Sequence, residues 1–217
     1  MTGLSTLSSI QVIVQARMSS QRFPGKVLAP LRGRPIITHV IDAVTRALPE
    51  TPLVVATTSD EADDPLVAYL DTLGVRTFRG ERDDVLGRFR ACLAKHPAEW
   101  FLRICADSPY LDARVVRTVA EGAGPHVDVV STRLPVPLPK GQNAELVRVT
   151  AFASLDPTDC AAYDREHVTS SFYRQPERFR IVGVGAPIGT PPDDGFAVDE
   201  VDDLRRLESS AGPGSGP

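Results

Sequence analysis

Three basic residues follow the first apolar segment of the chain. Residues Ile10 to Val14 form a short apolar run that is typical of a buried strand. Arg17, Arg22 and Lys26 come next, on a stretch rich in serine and glutamine that Pro24-Gly25 interrupts with a turn. Fixed positive charges beside backbone N–H groups and hydroxyls bind polyanions, and a triphosphate is the commonest small polyanion. The pattern therefore predicts a phosphate-binding loop.

Two other interpretations of this loop stay open at this point. A basic loop can be a solvated surface without a ligand. It can also be a Walker loop, but the G-x-x-x-x-G-K-[ST] spacing is absent, since only Gly25-Lys26 fits and Val27 follows. The position of the loop favours a ligand site, because it follows the first strand of an alternating β/α chain. Ligands in such sheets bind at the carboxyl ends of the strands.

Two aspartates are candidates for a metal site. Asp107 follows the apolar run Trp100 to Cys105, and a carboxylate at the carboxyl end of a central strand facing a basic loop suits Mg²⁺. A turn or helix-capping role is the alternative for Asp107. Asp199 ends a second apolar, strand-like run and is the other candidate, whereas Asp202 or Asp203 is expected to cap the last helix.

Residues that could bind an acceptor lie in the second half of the chain. Glu166 and His167 fall on a late predicted helix, where His167 could act as a general base, as an acceptor ligand or as a structural residue. Lys140, Gln142 and Glu145 could bind a hydroxylated acceptor, although nothing local in the sequence decides this.

The first half of the chain alternates strands with helices at short connections. This order predicts an α/β fold with a mostly parallel sheet and helices on both faces, hence three layers. After the first strand, the predicted strands are Leu53–Thr58, Val75–Phe78, Trp100–Cys105 and Val127–Ser131, and the predicted helices are Pro35–Leu48, Asp64–Leu73, Val85–Lys95 and Ala113–Glu121.

The second half breaks this rhythm. The proline-rich stretch Leu134 to Gly141 cannot be a central strand. We predict a late insertion at about 133–150 that forms a lid or a subunit contact, within a single domain over 1–208 that a flexible tail, 209–217, follows. The remaining predicted elements are the strands Glu145–Thr150 and Arg180–Val184 and the helices Asp164–Tyr173 and Asp202–Leu207.

Composition limits the classes of function. The chain has 217 residues, enough for one α/β domain, and a net charge of −4, which argues against sequence-independent binding of nucleic acid. Cys92, Cys105 and Cys160 show no C-x-x-C spacing, so neither a disulfide framework nor a zinc site is expected. No apolar run reaches the length of a membrane helix, and the first nine residues lack the plan of a signal peptide. We expect a cytoplasmic protein without a membrane partner.

Seven segments together resemble a known enzyme family. The chain is similar to the cytidylyltransferases of the spore-coat polysaccharide biosynthesis type, which are relatives of CMP-KDO synthetase and the acylneuraminate cytidylyltransferases. The segments are VQARMSSQRFPGKVL (Val14 to Leu28), ATTSDEADDPL (Ala56 to Leu66), FRGERDDVLGRF (Phe78 to Phe89), LRICADSPYLD (Leu102 to Asp112), PKGQNAEL (Pro139 to Leu146), DREHVTSSFY (Asp164 to Tyr173) and FAVDEVDDL (Phe196 to Leu204).

The resemblance implies a GT-A-like, Rossmann-like nucleotide-diphospho-sugar transferase fold with CTP as donor, Mg²⁺ as metal and a small acidic acceptor. It also implies a homodimer whose late hairpin reaches the partner. In this reading Arg17 and Lys26 are catalytic, and Asp107 and Asp199 bind the metal. The implied nucleotide-binding residues are Gln15, Ala16, Arg17, Ser20, Gly25, Lys26, Ala56, Thr57, Thr58, Arg79 and Asp107, and the candidate acceptor-binding residues are Lys140, Gln142, Glu145, Glu166 and His167.

Two rival functions remain at this stage. A GT-A glycosyltransferase would use a D-x-D metal motif, which Asp107-Ser108-Pro109 does not provide. A non-catalytic nucleotide-binding protein of a biosynthetic operon would not need the basic and acidic residues together. Cys105-Ala106 stands where the sialic-acid and KDO enzymes usually carry a glutamine or a glycine-rich approach to the metal aspartate, so the sequence leaves the acceptor open.

Overall fold

The computed structural model describes residues 10–156, 158, 162–185 and 195–210. Cys160 and most of the predicted tail lie outside these residues. The main sheet contains seven strands and a separate short hairpin contains two. The main-sheet strands are β1 (Ile10–Gln15), β4 (Leu53–Thr58), β5 (Arg76–Gly80), β6 (Trp100–Cys105), β7 (Val129–Ser131), β8 (Ala144–Arg148) and β9 (Ile181–Gly183), and the hairpin strands are β2 (Pro30–Leu31) and β3 (Arg34–Pro35).

The strand order across the main sheet is β5-β4-β1-β6-β8-β7-β9. β1 pairs in parallel with β4 and β6, and β4 pairs in parallel with β5. β8 runs antiparallel between β6 and β7, and β9 is parallel to β7. The mostly parallel sheet that the sequence predicts is therefore confirmed, with β8 as the reversed strand.

Helices cover both faces of the sheet. Successive residues of a strand point to opposite sides, so a strand that is apolar throughout must be covered on both. Val12 and Val14 of β1 belong to the apolar core on one face, whereas Ile13 belongs to the core on the other. The helices are α1 (Ile36–Ala47), α2 (Asp64–Thr72), α3 (Val85–Lys95), α4 (Ala113–Glu121), α5 (Val149–Ala153), α6 (Ala162–Glu166), α7 (Ser170–Arg174) and α8 (Val201–Ser209). α1, α2 and α4 supply the first core, and α3, α5 and α7 supply the second. The predicted three-layer architecture is confirmed.

A third, smaller apolar cluster fixes the segment that ends in Asp199. Phe196 and Val198 pack with Tyr110 and with Leu207 of α8. The side chain of Glu200 caps α8 in a capping box, and this is the cap that the sequence analysis assigned to Asp202 or Asp203. The run before Asp199 is not a strand, and packing rather than sheet pairing holds it in place.

Several predicted boundaries shift for local reasons. The predicted strand 145–150 ends at Arg148, since its partner β6 begins at Trp100, and the chain continues as α5. The predicted late helix is split into α6 and α7, because the Ser170 hydroxyl donates to the backbone oxygen of His167 and closes a turn there. The helix α2 begins at Asp64 as predicted, with Asp63 at the capping position, and it ends at Thr72 instead of Leu73.

Asp84 and Arg88 are four residues apart at the start of α3, a spacing that favours an ion pair, but their side chains do not pair. Asp84 instead caps α3 by accepting a hydrogen bond from the Gly87 N–H, and the Arg88 guanidinium donates to the backbone oxygen of Glu81. His39 of α1 contacts the backbone oxygen of Leu31 at 2.9 Å and thereby links the helix to the short β2–β3 hairpin.

Within the predicted insertion, residues 144–148 form β8 in the sheet, so that 133–143 remain as the connection between β7 and β8. A contact of this connection with a second copy stays a prediction. Among the described residues, no helix combines the length and the apolar character that crossing a membrane requires.

Candidate active site

A cleft of about 500 Å³ lies at the carboxyl ends of β1 and β6. It collects residues from the first loop, from the end of β6, from α6 and from the segment before α8. Ten of the residues that the sequence analysis selected line this cleft: Gln15, Ala16, Arg17, Ser20, Arg22, Lys26, Asp107, Glu166, His167 and Asp199.

The first loop is held in shape by a turn and by one buried carboxylate. Gly25 adopts a φ of 77°, which favours glycine, and its N–H donates to the backbone oxygen of Met18 at 2.8 Å. The Met18 N–H in turn donates to Asp63 Oδ1 at 2.7 Å. Asp63 Oδ2 accepts three hydrogen bonds: one from each hydroxyl of Thr57 and Thr58, both at 2.6 Å, and one from the Thr58 N–H at 2.8 Å. Burial alone would raise the pKa of Asp63, but these hydrogen bonds outweigh it and lower the pKa.

The sequence analysis missed Asp63, although two consecutive aspartates after β4 gave a signal. A carboxylate that accepts from both β4 and the first loop connects two neighbouring strand ends. The loop therefore has a fixed position beside the cleft.

Lys26 forms the centre of the cleft. Its ammonium nitrogen lies 2.7 Å from Asp107 Oδ2, 3.0 Å from Asp199 Oδ1 and 2.8 Å from the backbone oxygen of Val198. Burial alone would lower the pKa of Lys26, but the two carboxylates outweigh it and raise the pKa. The ammonium is thus charged at neutral pH. Three residues that are distant in sequence converge on one point, as the sequence analysis anticipated.

Asp199 binds further cations on its other oxygen. Arg22 Nη2 lies 2.9 Å from Asp199 Oδ2, and the Lys140 ammonium contacts the same oxygen. Burial alone would raise the pKa of Asp199, but hydrogen bonds from Lys140 and Lys26 lower it well below the usual range. The charge pattern of the basic loop predicted a phosphate-binding role for Arg22, but the nucleotide-binding residues that the family resemblance implies do not include it. Asp199 therefore contacts three cationic side chains: those of Arg22, Lys26 and Lys140.

The opposite side of the cleft carries His167 and Glu166. Arg17 pairs with Glu166 at 3.2 Å. Burial is the largest influence on the pKa of His167 and lowers it, while Glu166 opposes this effect. The charges of Arg103, Arg133 and Arg17 lower the pKa of His167 further. The imidazole is therefore neutral at pH 7 and can accept a proton.

Arg103 lines the same cleft and was missed by the sequence analysis. Its Nη1 donates to Glu145 Oε2 at 2.7 Å, and its Nε and Nη2 donate to Gln15 Oε1 at 3.3 and 3.2 Å. Glu145 is 1% exposed and also accepts from the hydroxyls of Thr169 and Tyr173. An arginine inside the apolar strand β6 was the signal that could have identified this residue.

Five predicted nucleotide-binding residues lie outside the cleft lining: Gly25, which forms the turn of the first loop, and four residues of β4 and β5. Ala56, Thr57 and Thr58 are fully buried at the end of β4. Arg79 donates to the backbone oxygens of Thr58 at 2.9 Å and Asp60 at 2.7 Å. The four residues of β4 and β5 stand beside the first loop, on the β4–β5 side of the site, where their contacts are with the protein itself.

Three predicted acceptor residues also make internal contacts. The buried Gln142 side chain accepts from the Asp112 N–H at 2.9 Å and donates to the Tyr110 backbone oxygen at 2.7 Å. Glu145 lies beneath the cleft, bonded to its arginine partner. Lys140 reaches the site through its contact with Asp199.

The fold and this centre together define a class of protein. A basic loop at the end of β1 faces two aspartates across a cleft in a GT-A-like sheet, which is the arrangement of a nucleotidyltransferase.

Comparisons with known proteins identify the family. The sequence family described as "Cytidylyltransferase" matches residues 11–196, so the chain belongs to the cytidylyltransferase family. The chain is 28% identical over 187 residues to the spore coat polysaccharide biosynthesis protein SpsF of Bacillus subtilis, a match that covers 83% of this chain and 77% of that protein. The predicted family and enzyme class are thereby confirmed.

Solved structures share the fold at low sequence identity. A cytidylyltransferase from Leptospira borgpetersenii has a TM-score of 0.84 and 21% identity, with 93% of this chain and 85% of that chain covered. CMP:2-keto-3-deoxy-manno-octonic acid synthetase, whose structure contains CTP, has a TM-score of 0.72 and 16% identity, with coverages of 93% and 97%.

Proposed function

We propose that this protein transfers CMP from CTP to a small acidic acceptor and releases pyrophosphate. The observation that carries the proposal is the convergence of Lys26 with Asp107 and Asp199, at 2.7 and 3.0 Å, at the end of the central strands. This arrangement supports a site in which the two carboxylates would bind a metal ion when CTP is present. Lys26 would then pair with the triphosphate. The structural relative that contains CTP and the family membership support CTP as the donor.

In the proposed reaction, an acceptor oxygen attacks the α-phosphorus in line. A P–O bond to the acceptor forms, the bond from the α-phosphorus to the bridging oxygen breaks, and pyrophosphate leaves. Arg17, Arg22 and Lys26 line the cleft and would neutralise the charge of the triphosphate and of the departing pyrophosphate. Such phosphoryl chemistry needs positioning and charge neutralisation more than covalent work by the protein.

The donor set at the centre fits Mg²⁺. This ion prefers oxygen ligands and is commonly bound by one or two carboxylates together with substrate phosphates and water. Asp107 and Asp199 supply two such carboxylates, and among the described residues no group of three or more acidic, histidine or cysteine side chains forms a metal cage. We propose that these two residues hold the ion. When bound, it would polarise a phosphoryl oxygen and neutralise charge.

His167 is the proposed general base. It lines the cleft and its pKa is lowered, so that the imidazole is neutral at pH 7. A neutral imidazole within reach of the acceptor would take the proton of the attacking hydroxyl. The homodimer and the cytoplasmic location remain predictions.

A pyrophosphate-release screen tests the proposal. The four common nucleoside triphosphates are each combined with Mg²⁺ and a panel of sugar acids and phosphonates, and we expect release with CTP and an acidic acceptor. Lys26→Ala and Asp107→Ala should each reduce the rate on the order of 10²–10³-fold, because each removes one charge from the reacting centre. Lys95→Ala, which changes an exposed lysine on α3, is the matched control.

Two outcomes would count against the proposal. If both Lys26→Ala and Asp107→Ala kept near-full CTP-dependent turnover, the assignment of these residues to the active site would be wrong. Release of a nucleoside diphosphate from a nucleotide sugar, without pyrophosphate, would favour a glycosyltransferase.

A further inference from the structure

We infer that Arg103 binds the oxyanion of the acceptor, a carboxylate or a phosphonate, and that Glu145 and Gln15 hold its guanidinium in place for this contact. The inference rests on the proposed function, since it assigns the acceptor side of the same cleft. Arg103 thereby becomes a specificity-determining residue, and the acceptor must carry a negative group beside the attacking oxygen.

The position of Arg103 is the first argument. It lies on β6, four residues before Asp107, and its side chain is 14% exposed to solvent. That exposed part faces the cleft, where His167 and Arg17 also stand. A residue at this place can touch a molecule that occupies the cleft beside the metal-binding carboxylate.

The hydrogen bonds of Arg103 leave donors for a ligand. An arginine side chain has five N–H donors. Three are used, by Nε and Nη2 toward Gln15 and by Nη1 toward Glu145. In the part of the chain that the structure describes, this leaves two donors, one on each terminal nitrogen. A guanidinium with two terminal donors suits a carboxylate or phosphonate, which accept in a bidentate manner.

The charge around Arg103 also favours an anion. Arg17, Arg103 and Arg133 all lie close enough to His167 to lower its pKa. Glu145 faces Arg103 across the β6–β8 pair, and its carboxylate is shared with the hydroxyls of two other residues. Three arginines against the carboxylates of Glu145 and Glu166 leave an excess of positive charge that an acidic acceptor would balance.

A purely structural ion pair between β6 and β8 is the alternative, and suitable variants separate the two. Arg103→Met removes the cation. Arg103→Lys keeps the positive charge but loses the planar guanidinium that can bind an anion in a bidentate manner. The double variant Arg103→Met/Glu145→Gln removes both buried charges, so that no carboxylate is left unpaired. Arg148→Met is the matched control, because Arg148 is 18% exposed and pairs with Glu99 at 2.9 Å outside the cleft lining.

The experiment measures binding by calorimetry in two steps. The first step titrates CTP with Mg²⁺ into each variant. The second titrates probes into enzyme saturated with α,β-methylene-CTP. The probes are 3-deoxy-manno-octulosonate with its neutral C1 carboxamide, and 2-hydroxyethylphosphonate with its neutral dimethyl ester. The first pair tests a carboxylate source of the oxyanion and the second pair tests a phosphonate source.

We expect one of the two anions to bind wild-type enzyme at least about tenfold tighter than its neutral counterpart, which is the effect of a charge-assisted hydrogen bond. Arg103→Met should weaken that anion by about 10- to 100-fold and abolish the preference over the neutral probe. Arg103→Lys should keep part of the preference for the anion over the neutral probe. The dissociation constant for CTP should stay within about twofold in every variant, because Arg103 is assigned to the acceptor. The double variant should recover thermal stability without recovering anion binding.

Three results would overturn the inference. The inference is wrong if wild-type enzyme binds CTP but binds neither anion more tightly than its neutral counterpart. In that case CTP binding, as the proposed function requires it, would still stand. Anion binding that Arg103→Met leaves intact, or that the double variant restores, would reduce Arg103 to a structural partner of Glu145. Failure of wild-type enzyme to bind CTP would instead count against the proposed function itself.

Discussion

Replacing Asp63 by asparagine tests whether one buried carboxylate holds the first loop, which follows β1, in place beside the sheet. The aspartate accepts one hydrogen bond from the Met18 N–H on Oδ1 and three from Thr57 and Thr58 on Oδ2. Asparagine has one oxygen, so it can keep the three bonds on the threonine side only by turning its NH₂ group toward the Met18 N–H. A lost hydrogen bond to a charged group costs about 1.5–3 kcal/mol, and the other three become weaker because the acceptor is neutral.

The free energy of unfolding should therefore fall by about 3 kcal/mol, which is a shift of about 6–12 °C in Tm for a chain of this size. Urea and thermal unfolding at pH 7 measure this change. Asp64→Asn is the control, because the Asp64 side chain is 57% exposed and its ion pair with Arg79 is a surface contact. The affinity for CTP should fall along with the stability, since the loop carries Lys26 and Arg17.

The pH dependence of this difference has a defined sign. The folded protein lowers the pKa of Asp63 below its usual 3.8. The stabilisation is therefore complete above that pH and is lost as the pH falls through the lower value in the folded state. The gap between wild type and Asp63→Asn should be constant from pH 7 to about pH 5 and shrink below about pH 3.8. A gap at pH 7 no larger than that of Asp64→Asn would refute the role of Asp63.

Two further predictions concern a turn and a base. Gly141 has a φ of 94°, and an added Cβ would lie 2.5 Å from the Phe196 carbonyl carbon and 2.6 Å from the Ala197 nitrogen. Gly141→Ala should therefore displace the segment that leads to Asp199 and reduce both stability and activity. Gly33→Ala is the control: Gly33 has a φ of 77° and open space around it, so this variant should lose only about 1 kcal/mol of stability. Equal losses of stability in urea unfolding would contradict the prediction. The lowered pKa of His167 predicts that kcat/KM falls as the pH drops through a value below the usual 6.5, with full activity above it. His167→Gln should remove this acid limb and lower the rate by about 10²-fold, and an unchanged pH profile would exclude His167 as the base.

Much of the fold could be predicted from the chain because its first half is strongly patterned. The strands at Leu53–Thr58 and Trp100–Cys105 and the helices at Val85–Lys95 and Ala113–Glu121 have the predicted bounds, since each is an apolar run or periodic segment with a clear cap or turn. The approach of Lys26 to Asp107 could be anticipated because the carboxyl ends of neighbouring parallel strands meet at one edge of a sheet. Asp199 reaches the same point because its segment packs against Tyr110 and Leu207, not because it ends a strand.

The parts that could not be predicted depend on contacts between distant residues. Arg103 and Glu145 are 42 positions apart in the sequence and meet only because β6 and β8 pair in this register. No local sequence pattern encodes that pairing. Asp63 and Asp64 are equally good helix caps by type, and the short 3-10 turn at Glu61–Asp63 decides which of them is buried. Gln142 looked like a ligand because its type and place were suitable, but its buried amide satisfies two backbone groups, those of Asp112 and Tyr110.

The transfer of label from CTP tests the central claim most directly. Wild-type enzyme, Lys26→Met, Asp107→Asn and Asp199→Asn are each incubated with Mg²⁺, an acidic acceptor and CTP labelled either at the α- or at the γ-phosphate. Asp60→Asn, which changes an aspartate that pairs with Arg82 outside the cleft lining, is the control. The account predicts that the α-label enters the acceptor product and the γ-label enters pyrophosphate, with rates about 10²–10³-fold lower in the three centre variants and unchanged in the control. Release of the γ-label as inorganic phosphate, or equal rates in all variants, would contradict it.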